Sequence, residues 1–136
     1  MSSPEAVVRD LLDSLAANDL EAALDLLDEE VVWKNTYLPT MRGPQVSKAL
    51  RDMMERGGRF EVTWHHVAAT DTGEESGIVL TDRTDLLGLG KWSTSFWVRG
   101  TFEVRDGKVV LWDDAFSWAG FIGSSLMGLV RMIVPR

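Results

Sequence analysis

The chain has 136 residues, a formal net charge of −7 and 45% hydrophobic residues. That is one domain's length with enough apolar side chains for a real core, and the negative charge argues against nucleic acid and anionic membrane surfaces as partners. There is no cysteine, and the two histidines, His65 and His66, are adjacent, so disulfides, thiolate nucleophiles and zinc–thiolate sites are excluded and no metal or cofactor is expected. Met1 to Asp10 has no basic region followed by an apolar run, which points to a cytoplasmic protein rather than a secreted one.

Residues 3–17 read as a helix, with Ser3 as N-cap, Pro4 at the first position, and Val7, Val8, Leu11, Leu12 and Leu15 at helical spacing. Asn18-Asp19 breaks it and can cap a second helix from Leu20 to Leu27, striped by Leu20, Ala23, Leu24 and Leu27. Glu30 to Asn35 is a short strand with Val31, Trp33 and Asn35 on one face, and residues 36–41 are a loop around Pro39. A third helix starts at Gly43-Pro44 and runs to about Arg56, where Gly57-Gly58 stops it. From Arg59 the pattern turns to β. Strict alternation puts His66 with Phe60, Val62 and Trp64, so at most one of the two histidines faces inward. Asp71-Thr72-Gly73 marks a turn, Val79 to Leu87 is a strand, and Gly88-Leu89-Gly90 is a break. Trp92 to Val104 is a long strand, Arg105 to Lys108 a tight hairpin, and Lys108 to Phe116 the last strand. The tail, Trp118 to Val134, carries one charge, Arg131. It is Gly-rich and short of the roughly 20 residues a membrane span needs. We expect it to close a pocket or to join a homodimer interface.

Helices first and hairpin-linked strands after them make an α+β layout over residues 1–136. A strongly curved, mostly antiparallel sheet wrapped over the helices would form a cone-shaped barrel whose inward residues converge at one deep end. Two strands bring charge to that end. Val79, Thr81, Arg83, Asp85 and Leu87 share one face, and Val110, Trp112, Asp114 and Phe116 share another. Asp113 faces the opposite way. A buried Asp114 needs a cation or hydrogen-bond donors, and Arg83 can supply both. Two aspartates held by one arginine in an apolar cavity suit acid–base work, because unequal surroundings can keep them in different protonation states. The competing reading is a purely structural ion network.

The segments Trp33-Lys34-Asn35 with Leu38-Pro39 and Gly43, Thr81 to Leu87, and Asp106-Gly107-Lys108 through Phe116 together resemble the limonene-1,2-epoxide hydrolase family of the nuclear-transport-factor-2-like (SnoaL-like) superfold. The resemblance implies hydrolysis of an epoxide of a hydrophobic small molecule to a vicinal diol. It implies Asp114 as the base that deprotonates water, Asp85 as the acid that protonates the epoxide oxygen, Arg83 as the bridge between them, and Asn35 as a water-orienting group. Trp33, Trp112, Phe116 and the loop residue Tyr37 are then expected against the substrate. One departure is plain: Trp33 stands where the family has a water-holding tyrosine, and an indole donates one hydrogen bond but accepts none. Two other classes fit the same fold, a ketosteroid-isomerase-like or polyketide-cyclase-like proton-transfer enzyme and a non-catalytic binder of hydrophobic ligands.

Overall fold

The computed structural model describes residues 2–133. The first helix, α1 (Pro4–Ala16), opens on Pro4, and the Ser3 hydroxyl accepts from the Ala6 amide at 3.1 Å. Both features relieve amides that a helix start leaves unpaired. Val7, Val8, Leu11, Leu12 and Leu15 are buried along its inner face. Asp19 caps α2 (Leu20–Asp25). This helix is shorter than its apolar stripe predicts, because Leu27 opens strand β1 (Leu27–Asn35) instead of closing the helix. The reason lies in the last strand, β6 (Lys108–Phe116): Leu27 pairs with Val109, whose amide donates to the Leu26 carbonyl at 2.8 Å. Tertiary pairing here overrides helical propensity.

The segment expected as a loop holds a two-residue strand, β2 (Met41–Arg42), antiparallel to β1. Helix α3 (Pro44–Glu55) follows Gly43, whose φ of 55° suits glycine, and buries Val46 and Leu50. Strands β3 (Gly58–Gly73), β4 (Ser76–Leu89) and β5 (Trp92–Arg105) then lead by hairpins into β6. The six strands lie in the order β2-β1-β6-β5-β4-β3, antiparallel except for the β1–β6 pair. The sheet curls over α1 as expected, but it is not closed. Among the described residues β2 and β3 are the edge strands, so the predicted barrel is an open, curled sheet. Its concave side and the inner faces of α1 and α3 share one hydrophobic core that includes Leu11, Leu12, Leu50, Phe102 and Trp112.

Two bulges correct the simple alternation. In β3, Trp64 pairs with Arg83 and His66 with Asp82, which leaves His65 as an extra residue. The inward direction therefore passes from His66 to Val67, and both histidines are exposed. In β6, Leu111 pairs with Glu103 and Val109 with Val104, so Val110 is the extra residue and Val109 is the buried one. Trp112 and Asp114 keep their inward positions.

The apolar tail forms α4 (Trp118–Ile133) against β5; Val134, part of the expected helix, lies outside the described residues. Small residues allow the close approach. A Cβ on Gly128 would stand 2.0 Å from the Ser93 carbonyl oxygen. The Ser95 amide donates to Ser124 Oγ at 2.9 Å, and Trp92 Nε1 donates to the Ser125 carbonyl at 3.2 Å. The large side chains of Ile122, Leu126, Leu129 and Ile133 face outward. Among the described residues no helix is long and apolar enough to cross a membrane.

Candidate active site

Strand β4 points Val79, Thr81, Arg83 and Asp85 to the concave side, and all four are buried. Arg83 is 0% exposed, yet each of its guanidinium nitrogens has an acceptor. Nε and Nη2 donate to Asp85 Oδ1 and Oδ2 at 2.9 and 3.0 Å, a bidentate pair. Nη2 also donates to Asp114 Oδ2 at 2.8 Å, and Nη1 donates to Thr81 Oγ1 at 2.9 Å. The Thr81 hydroxyl in turn donates to the Gly100 carbonyl at 3.3 Å.

Strand β5 lies between the two charged strands, and its Gly100 pairs with Thr81 on one side and Asp114 on the other. A side chain there would collide with the whole cluster. A Cβ would stand 2.5 Å from Arg83 Nη1, 2.6 Å from Asp114 Oδ1 and 2.9 Å from Thr81 Oγ1. Glycine thus lets the guanidinium reach across one strand to the second carboxylate. Thr81 and Gly100 are site residues that the pattern of charges did not reveal. A lone glycine inside a strand was the available signal, since it marks close approach by another group.

The two carboxylates are not equivalent. Burial pushes the Asp85 carboxyl up from its ordinary 3.8 to about 6, against the opposing charge and hydrogen bonds of Arg83, and the charge of Asp114 pushes the same way as burial. For Arg83, burial works against the charged form, but the charges of Asp114 and Asp85 outweigh it and raise the pKa, so the guanidinium stays charged. Asp114 Oδ2 accepts from both Arg83 and the Trp112 indole, the latter at 2.9 Å. Its other oxygen, Oδ1, is buried with no protein partner.

Asp85 and Asp114 line one cavity of about 300 Å³. Its remaining wall is largely apolar and includes Leu50, Phe60, Val98, Phe116 and, from α4, Trp118 and Phe121. The start of α4 thus contributes Trp118 and Phe121 to the cavity wall. Asn35, Trp33, Trp112 and Phe116 all line this cavity. Asn35 sits beside Asp114 because β1 and β6 pair there. Trp33 stacks on Trp112, with ring centroids 4.3 Å apart. Tyr37 is a correction: it takes a left-handed φ of 62° in the loop, its side chain is 93% exposed, and it is not part of the wall. Its neighbour Leu38 faces the cavity instead. His65 and His66 are far from this role on the outer surface of the sheet, where His65 Nε2 lies 2.8 Å from Thr84 Oγ1. Asp113 points away from the cluster, as the alternation predicts.

Comparisons with known proteins bear on the family and the fold. A family model for the limonene-1,2-epoxide hydrolase catalytic domain matches residues 2–125. The epoxide hydrolase EphG of Mycobacterium tuberculosis is 34% identical over 128 residues, which cover 94% of this chain and 83% of that protein. A solved structure of an M. tuberculosis LEH-like epoxide hydrolase superposes with a TM-score of 0.86 at 34% identity, covering 96% of this chain and 94% of that one. A putative polyketide cyclase from Pseudomonas putida KT2440 superposes with a TM-score of 0.70 at 10% identity, covering 92% and 99% of the two chains. That last likeness concerns the nuclear-transport-factor-2-like fold alone.

Proposed function

Because the chain belongs to the limonene-1,2-epoxide hydrolase family and is an epoxide hydrolase, we propose that it opens the epoxide of a hydrophobic small molecule, of terpene, lipid or steroid type, to a vicinal diol by direct attack of water. One observation carries this reading: two aspartates share a buried guanidinium at the wall of an otherwise apolar cavity. An apolar wall selects an oily substrate, and the aspartates are its acid–base chemistry.

An epoxide carries ring strain but has a poor leaving oxygen. Opening it near neutral pH requires a proton on that oxygen and a base for the water at the same moment. In this mechanism Asp85 begins as the carboxylic acid and Asp114 as the carboxylate. The water oxygen forms a bond to one epoxide carbon, and Asp114 Oδ1 takes a water proton. The carbon–oxygen bond of the ring breaks as Asp85 delivers its proton to the leaving oxygen. Asn35 orients the water. The cluster of Arg83, Asp85 and Asp114 has the same net charge before and after the step, so the reaction leaves no uncompensated charge in the cavity. One proton must then return from Asp114 to Asp85 as the diol leaves.

The test is a panel of hydrophobic epoxides with product analysis. Asp85→Asn and Asp114→Asn should each lower diol formation roughly 10²–10⁴-fold, the usual span for acid–base catalysis. Asp113→Asn, one residue away on the outer face, should leave it nearly unchanged. Equal losses at Asp113 and Asp114, or an active double variant of Asp85 and Asp114, would contradict the assignment.

A further inference from the structure

The net charge of −7 is a whole-molecule average, and the charges are unevenly placed. Residues 1–30 carry nine acidic side chains and one basic one, Arg9. The end of the sheet where α4 finishes has the opposite balance. There Gly58 of β3 pairs with Leu89 of β4, Leu89 pairs with Trp92 of β5, and Gly128 of α4 rests on Ser93. Across that end, residues 56–60 and 87–95 hold Arg56, Arg59 and Lys91 and no carboxylate, and α4 adds Arg131 as its sole charge. Arg59 is tied to the hairpin between β4 and β5, where its Nη1 donates to the Gly90 carbonyl at 2.7 Å. Glu55 and Glu61 are the first acids on either side of the 56–60 segment.

Beside these cations the surface is apolar. Ile122, Leu126, Leu129 and Ile133 follow one another at helical spacing on the outer face of α4, each about half exposed or more, and Leu89 is exposed at the hairpin. A shallow apolar groove lies between this stripe and Trp92. Phe121 lines both that groove and the catalytic cavity, so the outer face of α4 borders the site. A helix that is apolar all round is ordinarily covered on every side; among the described residues nothing covers this face.

We infer that this patch seats the protein on the surface of an anionic lipid bilayer, with α4 lying in the interface and the oily substrate entering the cavity from the lipid. The helix is not long and apolar enough to cross a membrane. Lying in the interface plane, it would bury its apolar stripe at the headgroup boundary while Arg131, Lys91 and Arg59 meet lipid phosphates. Repulsion between the acidic remainder of the chain and the lipid is screened beyond about 10 Å at ordinary salt. A second copy of the chain fits the patch less well. Two-fold pairing sets a patch against itself, so basic rims would meet with no carboxylate in the patch to neutralise them. The inference rests on the epoxide-hydrolase reading for one point only, that the substrate is oily and collects in lipid; the lipid contact stands apart from it.

The test is co-flotation of the full-length protein with vesicles of phosphatidylcholine, alone or with phosphatidylglycerol added. The expected result is binding to the anionic vesicles that weakens as salt is raised. Arg131→Gln and Lys91→Gln should each weaken it roughly fivefold. Leu126→Glu combined with Leu129→Glu should abolish it. Circular dichroism and the hydrolysis of a water-soluble epoxide should stay unchanged in that double variant, since both side chains are exposed and neither lines the cavity. With an epoxide dissolved in anionic vesicles, the same variant should lose most of its rate. Wild-type protein that did not float, or that floated regardless of lipid charge, would overturn the inference. So would a wild-type dimer in analytical ultracentrifugation that Leu126→Glu dissociates, because a second copy would then cover the patch. Wild-type protein that floats with anionic vesicles but forms no diol from any epoxide would uphold the lipid contact and remove the functional reading instead.

Discussion

Gly100 and Asp85 set the terms of the site at the scale of single residues. A methyl group at position 100 has nowhere to go, with Arg83 Nη1 and Asp114 Oδ1 both within 2.6 Å of where its Cβ would be. Gly100→Ala should therefore destabilise the fold by about 1–3 kcal/mol, as overpacking does, and abolish most activity by moving the guanidinium off one carboxylate; denaturant unfolding and diol formation measure the two effects. Asp85 predicts a pH profile. It must be protonated to act as the acid, and burial sets its pKa at about 6. The logarithm of kcat/KM should then fall with rising pH above about 6, at roughly tenfold per pH unit, and Asp85→Asn should erase that limb along with most of the rate. Much of this cluster was legible in the sequence, because Arg83 and Asp85 sit two apart on a strand and Asp114 shares a face with Trp112. Thr81 was not legible, since a threonine in a strand is ordinary and its hydrogen bond to Arg83 is a tertiary fact. Tyr37 misled because neighbours in a loop say nothing about which of them turns inward.

At the scale of elements, the strands and helices followed from apolar spacing and caps, while the departures came from pairing between distant segments. The bulges at His65 and Val110 reverse the facing of nearby residues, and nothing in the local pattern signals an extra residue in a ladder. The end of α2 was misplaced for the same reason, since β6 claims Leu27 as a strand partner. Helix α4 shows how an element can serve the site from its edge. Trp118 and Phe121 form cavity wall in its first turns, and Gly128, farther along, holds the helix against β5. A side chain at 128 would meet the Ser93 carbonyl oxygen at 2.0 Å, a backbone atom that cannot yield easily. Gly128→Val should lift α4 from β5. The expected outcome is a raised KM for apolar epoxides in a protein that remains folded, measured by steady-state kinetics beside circular dichroism. An unchanged KM would mean that the placement of α4 is irrelevant to the cavity.

For the molecule as a whole, the parallel pairing of β1 with β6 decides what the site can do. It sets Asn35 beside Asp114, while β5 and β4 carry Arg83 and Asp85 to the same concave end. The α+β layout and the curl of the sheet could be anticipated from element order; the edge strands β2 and β3 could not, because closure depends on strand pairing that composition does not reveal. The arrangement has one mechanistic consequence for the entire reaction. Both aspartates are bound to a single guanidinium, which fixes their lone pairs and weakens them as nucleophiles toward carbon, and neither histidine lies at the cavity to hydrolyse an ester. Water should attack in one step. A single turnover in ¹⁸O-labelled water, with enzyme in excess over epoxide, separates the routes. Direct attack puts one ¹⁸O atom in the diol on that first turnover; an unlabelled first diol, its new oxygen drawn from an aspartate, would contradict it.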